Sequence, residues 1–207
     1  MRIIAGSLRS RTLDAPPGLA TRPTSDRLRE TLFNVLAPRI ESAVFLDLYA
    51  GSGAVGMEAL SRGAARVEFV EKAPAALKVL RGNLERLGLK AGFRIHAAAV
   101  GTTLRRMQAD VGLCPGSEPS RGVVPEISFD LVFLDPPYDA AQEYAATLGL
   151  LGGSLLGGSG AGLLAAGALV IAEHRRKERL EDNYGLLART RLLEQGDAAL
   201  SFYAVIA

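Results

Sequence analysis

The feature that most constrains this 207-residue chain is an alternation that begins near residue 44. Five short runs, VFLDL (44–48), RVEFV (66–70), FRIHAAA (93–99), FDLVFL (129–134) and GALVIA (167–172), are separated by stretches of helical character. The runs are continuously apolar rather than alternating, as strands of a parallel sheet covered on both faces must be. Parallel strands joined through helices need right-handed crossovers, so the pattern predicts a doubly wound, mostly parallel α/β sheet. The clearest helix starts at Pro74, a residue suited to a first helical position. It places Leu77, Leu80, Leu84 and Leu87 on one stripe before Gly88.

Both flanks depart from this rhythm. TSDRLRETLFNVLAP (24–38) opens with hydroxyl caps and an early aspartate, and sets Leu28, Leu32, Val35 and Leu36 on one face. The residues before it, rich in Arg, Gly and Pro, read as a small β-hairpin arm. The expected division is a basic arm, 1–22, and one larger domain, 23–207. At the other end, two β-rich runs flank QGD (195–197), which predicts a C-terminal antiparallel hairpin. Residues 112–125, GLCPGSEPSRGVVP, read as a loop insertion.

Charge and cysteine content narrow the classes. The formal charge is +2, yet residues 1–39 hold seven arginines against Asp14, Asp26 and Glu30. That asymmetry points to a basic face for a polyanion. Cys114 stands alone, so neither an intramolecular disulfide nor a cysteine-based zinc site is available, and a reducing compartment is expected. MRIIAGSLRS lacks the apolar segment of a signal peptide. The most apolar region, 148–172, contains eight glycines and parses as helix, Gly-rich loop and buried strand rather than a membrane span. The expected address is the cytoplasm, with no membrane partner.

The first strand runs into LDLYAGSGAVG (46–56). Gly51, Gly53 and Gly56 satisfy G-x-G-x-x-G, a loop that turns sharply and lets the backbone approach a ligand, with helix amides facing it. Glu71 ends the second strand, where a carboxylate accepts hydrogen bonds from ribose hydroxyls. A nicotinamide cofactor and S-adenosylmethionine (SAM) fit these features alike. Asp47 separates them: four residues ahead of the first glycine, it would repel a pyrophosphate and favour the ammonium and sulfonium of SAM. An NAD-dependent oxidoreductase is therefore the disfavoured class.

The fourth run ends in Asp135-Pro136-Pro137-Tyr138. Ligands of a doubly wound sheet bind beyond the carboxyl ends of its strands, so this turn is expected on the rim that carries Gly51 and Glu71. An exocyclic base amine is a weak nucleophile because its lone pair is delocalised into the ring. Two acceptors, the Asp135 carboxylate and the Pro136 carbonyl, would hold its N–H groups and favour pyramidalisation. The prolines restrict that turn, and Tyr138 offers a face for stacking on an extruded base. D-P-P-aromatic arises by chance in roughly one such chain in 500, too rarely to dismiss as a plain strand cap.

These motifs resemble class I SAM-dependent amino-methyltransferases. MRIIAGSLRSRTLDAPPG, TRPTSDRLRETLFNVL and LDLYAGSGAVGMEALSRGA narrow the resemblance to the RsmD family of bacterial 16S rRNA guanine-N2 methyltransferases, over most of residues 1–140. The resemblance implies a Rossmann-like methyltransferase sheet and transfer of methyl from SAM to one guanine of 16S rRNA, in the small subunit or an assembly intermediate. S-adenosylhomocysteine would be the product, with no metal involved. It implies that Asp47, Gly51, Ser52, Gly53 and Glu71 hold SAM, with Thr24 of the RPT segment near the cofactor entrance. It further implies that Asp135, Pro136 and Tyr138 hold the target base, and that Arg2, Arg9, Arg11 and Arg22 face RNA. Arginine suits that task because its fork binds phosphate bidentately and stacks on bases. One departure stands out: related enzymes carry Asp or Asn near the position of Ala99 to hold the adenine amine. Here HAAAV offers only backbone groups or a neighbour. His96 reads as a strand-end or packed residue rather than a base. The alternatives are adenine-N6 methylation and a non-catalytic RNA-binding assembly factor; a monomer is expected.

Overall fold

The computed structural model describes residues 1–15, 26–112, 128–137, 140–153 and 162–206. Its elements run α1 (Asp26–Leu36), β1 (Val44–Leu48), α2 (Ala54–Ser61), β2 (Arg66–Glu71), α3 (Pro74–Leu87), β3 (Phe93–Ala97) and α4 (Val100–Gly112). They continue with β4 (Phe129–Leu134), α5 (Gln142–Gly153), β5 (Leu164–Arg175), β6 (Asn183–Tyr184), β7 (Leu187–Gln195) and β8 (Ala198–Val205). One eight-stranded sheet has the order β3-β2-β1-β4-β5-β8-β7-β6. The strands from β1 to β5 pair in parallel, and β8, β7 and β6 add antiparallel at one edge.

Each central strand feeds two cores, which is why its run is apolar without interruption. Phe45, Phe133 and Ile171 face one side, among residues of α1, α2 and α3 such as Leu32, Met57 and Leu80. Leu46, Leu48, Val132 and Leu134 face the other, with Leu104 of α4 and Leu148 of α5. Fully burying side chains of this size contributes about 2 kcal/mol each, so these two layers dominate the stability of the sheet. α3 begins at Pro74 and ends on Gly88 in the left-handed region (φ 74°), the boundaries its sequence predicts.

The β7–β8 hairpin turns at Gly196, as QGD predicts. β5 is longer than GALVIA suggested. Gly167, at φ 76°, lies inside the strand where its register against β4 shifts, so this glycine marks a bulge rather than a boundary. β3 stops at Ala97, two residues short of its apolar run, and Ala98 and Ala99 turn away into α4. The 112–125 insertion falls almost wholly outside the described residues. No described helix is long and apolar enough to cross a membrane.

The N-terminal arm forms a small hairpin, bridged Arg2 to Thr12, that is fastened to the main body. Glu58, fully buried on α2, accepts the Ile4 amide at 2.7 Å and the Ala5 amide at 3.0 Å. Arg62 at 2.7 Å and Arg29 at 3.8 Å neutralise that carboxylate, as a buried charge requires. Asn83 of α3 is equally buried: it accepts the Asp14 amide at 2.9 Å and donates to the Asp14 and Ser52 carbonyls at 3.1 and 3.0 Å. The arm, α3 and the loop after β1 therefore meet at one side chain.

Candidate active site

The strand order reverses between β1 and β4: β2 and β3 extend to one side, β5 to the other. Such a switch point opens a crevice beyond the carboxyl ends of the strands. Here it is a cavity of about 520 Å³, lined by Asp47, Tyr49, Gly51, Glu71, Ala99 and Asp135 among others. Ser52 and Pro136 line it as well. Its volume suits a nucleoside-sized ligand.

Asp47 is the penultimate residue of β1, on the face shared with Phe45, so it points toward α2. It accepts the Gly56 amide of the first helical turn at 2.9 Å. The carboxylate thus caps the helix from another element and reaches the cavity at the same time. Only 2% exposed, it is pushed up to about pKa 7: burial is the main cause, the Gly56 amide opposes it, and the nearby Glu71 adds to it. Gly51 and Gly53 adopt φ of 55° and 78°, the left-handed conformation that glycine reaches without steric penalty. Gly53 is the cap of α2, and a Cβ there would stand 2.6 Å from Leu80. At Gly56 a Cβ would meet the Phe69 ring at 2.3 Å, so the third glycine serves close packing of α2 on β2.

Glu71 holds the loop together. One carboxylate oxygen accepts the Gly51 amide at 2.9 Å, and the other accepts the Lys72 and Ala73 amides at 2.8 and 2.7 Å. The residue predicted to meet a ribose thus also fixes the glycine loop, and the oxygen bound to Gly51 keeps a second lone pair for a ligand.

Asp135 follows β4, which pairs Phe133 with Asp47 of β1, so the two carboxylates flank the switch point. Asp135 is half-buried, and its pKa is raised well above the usual carboxylate range by burial, then by the negative charges of Glu173 and Asp47. A wall of clustered carboxylates favours a cationic ligand, whose charge would return both groups to the ionised form. Among the described residues no cluster of His, Cys, Asp and Glu is arranged to hold a metal ion.

Tyr49 has no counterpart in the sequence reading. It takes φ 61°, a conformation that costs a non-glycine residue about 1 kcal/mol. Its hydroxyl lies 2.8 Å from Glu143 Oε2, to which it donates, and 2.7 Å from the Thr147 hydroxyl. Both partners lie on α5, so the strained tyrosine ties the glycine loop to the helix that follows the Asp135 turn. The signal was a large side chain between an aspartate and a glycine loop, but its partners lie 94 and 98 residues away.

The remaining predicted residues distribute unevenly. Ser52 is buried, its hydroxyl 3.6 Å from the Met1 sulfur. Arg2 and Arg9 are exposed, and Arg2 lies 3.9 Å from Asp26. Arg11 differs, because it donates to the Arg86 carbonyl at 2.7 Å and so fastens the arm to α3. Arg22, Thr24 and Tyr138 lie outside the described residues. His96 is bound to buried Glu68 at 2.6 Å and does not line the cavity.

Comparison with known proteins supports the fold. The family model described as "Conserved hypothetical protein 95" matches residues 1–204. YlbH of Bacillus subtilis is 32% identical over 203 residues, covering 98% of each chain. Ribosomal RNA small subunit methyltransferase D of Escherichia coli K12 is 41% identical over 138 residues, 67% of this chain and 60% of that protein. The solved structure of Escherichia coli yhhF superposes with a TM-score of 0.76 at 31% identity, covering 99% of this chain and 97% of that one. With its family model matched over nearly the whole length, the chain belongs to the conserved hypothetical protein 95 family, the RsmD-like methyltransferases.

Proposed function

We propose that the protein transfers a methyl group from SAM to the exocyclic N2 amine of a guanine in small-subunit rRNA. The observation that carries this reading is the placement of Asp47 and Asp135 on either side of one acidic cavity at the β1/β4 switch point. The similarity to the Escherichia coli ribosomal RNA small subunit methyltransferase D supports the substrate class. SAM supplies an electrophilic methyl on a cationic sulfur. The lining fits such a ligand: Asp47 faces its positive charge, the glycine loop admits its backbone, and Glu71 retains acceptor capacity.

Asp135 and the Pro136 carbonyl would accept the two N–H groups of the guanine amine and aim its lone pair at the methyl carbon. Tyr138 would stack on the base. As the N–C bond forms, the C–S bond breaks, its electron pair stays on sulfur, and S-adenosylhomocysteine results. The amine, now cationic, then loses one proton to Asp135 or to water. A carboxylate whose pKa lies above the ordinary range is well matched to that acceptance. The protein would work as a cytoplasmic monomer on 16S rRNA within the small subunit or an assembly intermediate.

Radiolabelled methyl transfer to small subunits from a strain lacking the modification, followed by nucleoside analysis, tests the reading. N2-methylguanine is expected. N6-methyladenine would replace guanine by adenine as the target, and SAM binding without transfer would favour an assembly factor. Exposed Arg9 supplies a separate check on the arm. Arg9→Glu is expected to raise the KM for RNA and lower the slope of log binding against log salt by about 1–2, since a phosphate contact is lost and a repulsion gained. An unchanged slope removes this face from the interface.

A further inference from the structure

We infer that Tyr49 is a positioning residue for methyl transfer: its hydroxyl, held by Glu143 and Thr147, fixes the turn that carries the Pro136 carbonyl against the glycine loop that holds the cofactor. This rests on the SAM reading above. Transfer needs the amine nitrogen and the methyl carbon about 3–3.5 Å apart and aligned, and a displacement of about 1 Å costs on the order of a hundredfold in rate. The two reactants are held by different parts of the chain, the cofactor by the loop after β1 and the target amine by the turn after β4. All three tied residues, Tyr49, Glu143 and Thr147, line the same cavity as Pro136.

The entry to that turn is fixed by the sheet, because Leu134, just before Asp135, pairs with Leu48 of β1 and Ala172 of β5. Its exit is α5, whose first turn is tied on both sides. Tyr144 donates its hydroxyl to the Glu173 carbonyl of β5 at 2.9 Å, and Glu143 accepts the Tyr49 hydroxyl at 2.8 Å. Backbone bonds carry the tie back to the prolines: the Glu143 amide donates to the Ala140 carbonyl at 2.9 Å, and the Ala140 amide to the Pro137 carbonyl at 2.8 Å. Thr147, buried one helical turn beyond Glu143, lies 2.7 Å from the same tyrosine hydroxyl.

The other end of the tie is firmly anchored. The Ala50 amide donates to the Val70 carbonyl of β2 at 3.0 Å, and the Gly51 amide to Glu71 at 2.9 Å, so the residues after Tyr49 are pinned to the neighbouring strand. Tyr49 itself takes φ 61°, which glycine takes without steric cost, as at Gly51 and Gly53. What a tyrosine contributes at this position therefore lies in its side chain. Burial pushes its hydroxyl above the ordinary tyrosine pKa, so it stays a donor toward the Glu143 carboxylate. Removing the hydroxyl frees α5 and the exit of the turn, while the cofactor loop keeps its own bonds. That asymmetry predicts a loss of rate without a loss of cofactor affinity.

Single-turnover methyl transfer by the full chain to small ribosomal subunits lacking the modification, measured beside calorimetric titration with S-adenosylhomocysteine, tests this. Tyr49→Phe keeps the ring and is expected to lower the saturated rate by about tenfold to a hundredfold. The Kd for S-adenosylhomocysteine and the half-saturating concentration of subunits should stay within about threefold. Glu143→Ala is expected to lose as much rate, and the double variant no more than either single one, because each deletes the same bond. A Tyr49→Phe rate within about twofold of wild type overturns the inference and leaves the SAM reading intact. So does an equal loss of S-adenosylhomocysteine affinity, or losses that multiply in the double variant. A wild-type chain that does not bind S-adenosylhomocysteine overturns both.

Discussion

Asp135→Ala is expected to lower methyl transfer by about a thousandfold while leaving the Kd for SAM within severalfold, because the carboxylate acts on charge that develops only as the amine attacks. Substituting this side chain removes one acceptor of the target amine and the group placed to take its proton. It removes nothing the sheet needs, since Asp135 lies beyond the last paired residue of β4, Leu134. It also relieves the repulsion among Asp135, Asp47 and Glu173 that raises the Asp135 pKa. Single-turnover transfer and SAM titration on the same preparation separate the two effects. Equal loss of transfer and of SAM binding would sink the assigned role, as would transfer that survives.

Asp47→Asn is expected to act in opposite directions on stability and on binding. Its carboxyl is raised from about 4 in an unfolded chain to about 7 in the unliganded fold. A raised pKa means that the folded state holds the proton more tightly. The stability this provides is complete below about pH 4 and is lost as pH climbs through about 7. The loss amounts to about 4 kcal/mol for a shift of roughly three units. Asparagine retains an oxygen for the Gly56 amide and carries no charge, so it escapes this loss. Without ligand, the variant should melt above the wild type at pH 8 and close to it at pH 4–5, by calorimetry. SAM affinity should fall by about tenfold to a hundredfold at pH 8, because a buried carboxylate facing a cation is gone. In the wild type the same carboxyl makes SAM affinity decline about tenfold per pH unit below 7, where SAM must displace a proton. A variant that melts lower at pH 8, or a flat pH profile in the wild type, would contradict the electrostatic role of Asp47.

The parts of this molecule that were legible in the sequence are those with local causes. Continuous apolarity marked the five parallel strands, Pro74 and Gly88 bounded α3, and the glycine spacing located the loop that φ values of 55° and 78° later explain. The parts that were not legible depend on contacts distant in sequence. Glu58 reads as one more charge on a helix, yet it binds amides 53 and 54 residues away. Glu71 was expected at a ribose, but its grip on the Gly51, Lys72 and Ala73 amides has no sequence periodicity to announce it. α5 was half hidden because much of its surface is small or apolar, and the contact its Gly152 makes lies far along the chain. A Cβ there would stand 1.8 Å from the Tyr184 carbonyl, so the helix and β6 touch backbone to backbone. β6 itself, two residues long, is too short to carry a pattern.

The position of β4 beside β1 has a consequence for how the protein is made. The two strands are far apart in the chain: the Val44 amide is bonded to the Asp130 carboxylate, 86 residues on. While the polypeptide emerges, β1 can join β2 and β3 early, but its other edge stays open until β4 has been synthesised. Parallel pairings of such long loops form slowly, and an open apolar edge invites association with other chains. The rim that carries Asp47 and Asp135 is therefore completed late in folding. A nascent chain stalled before residue 129 would display an unprotected strand and no assembled catalytic centre, a state for chaperones to cover rather than one able to act on RNA.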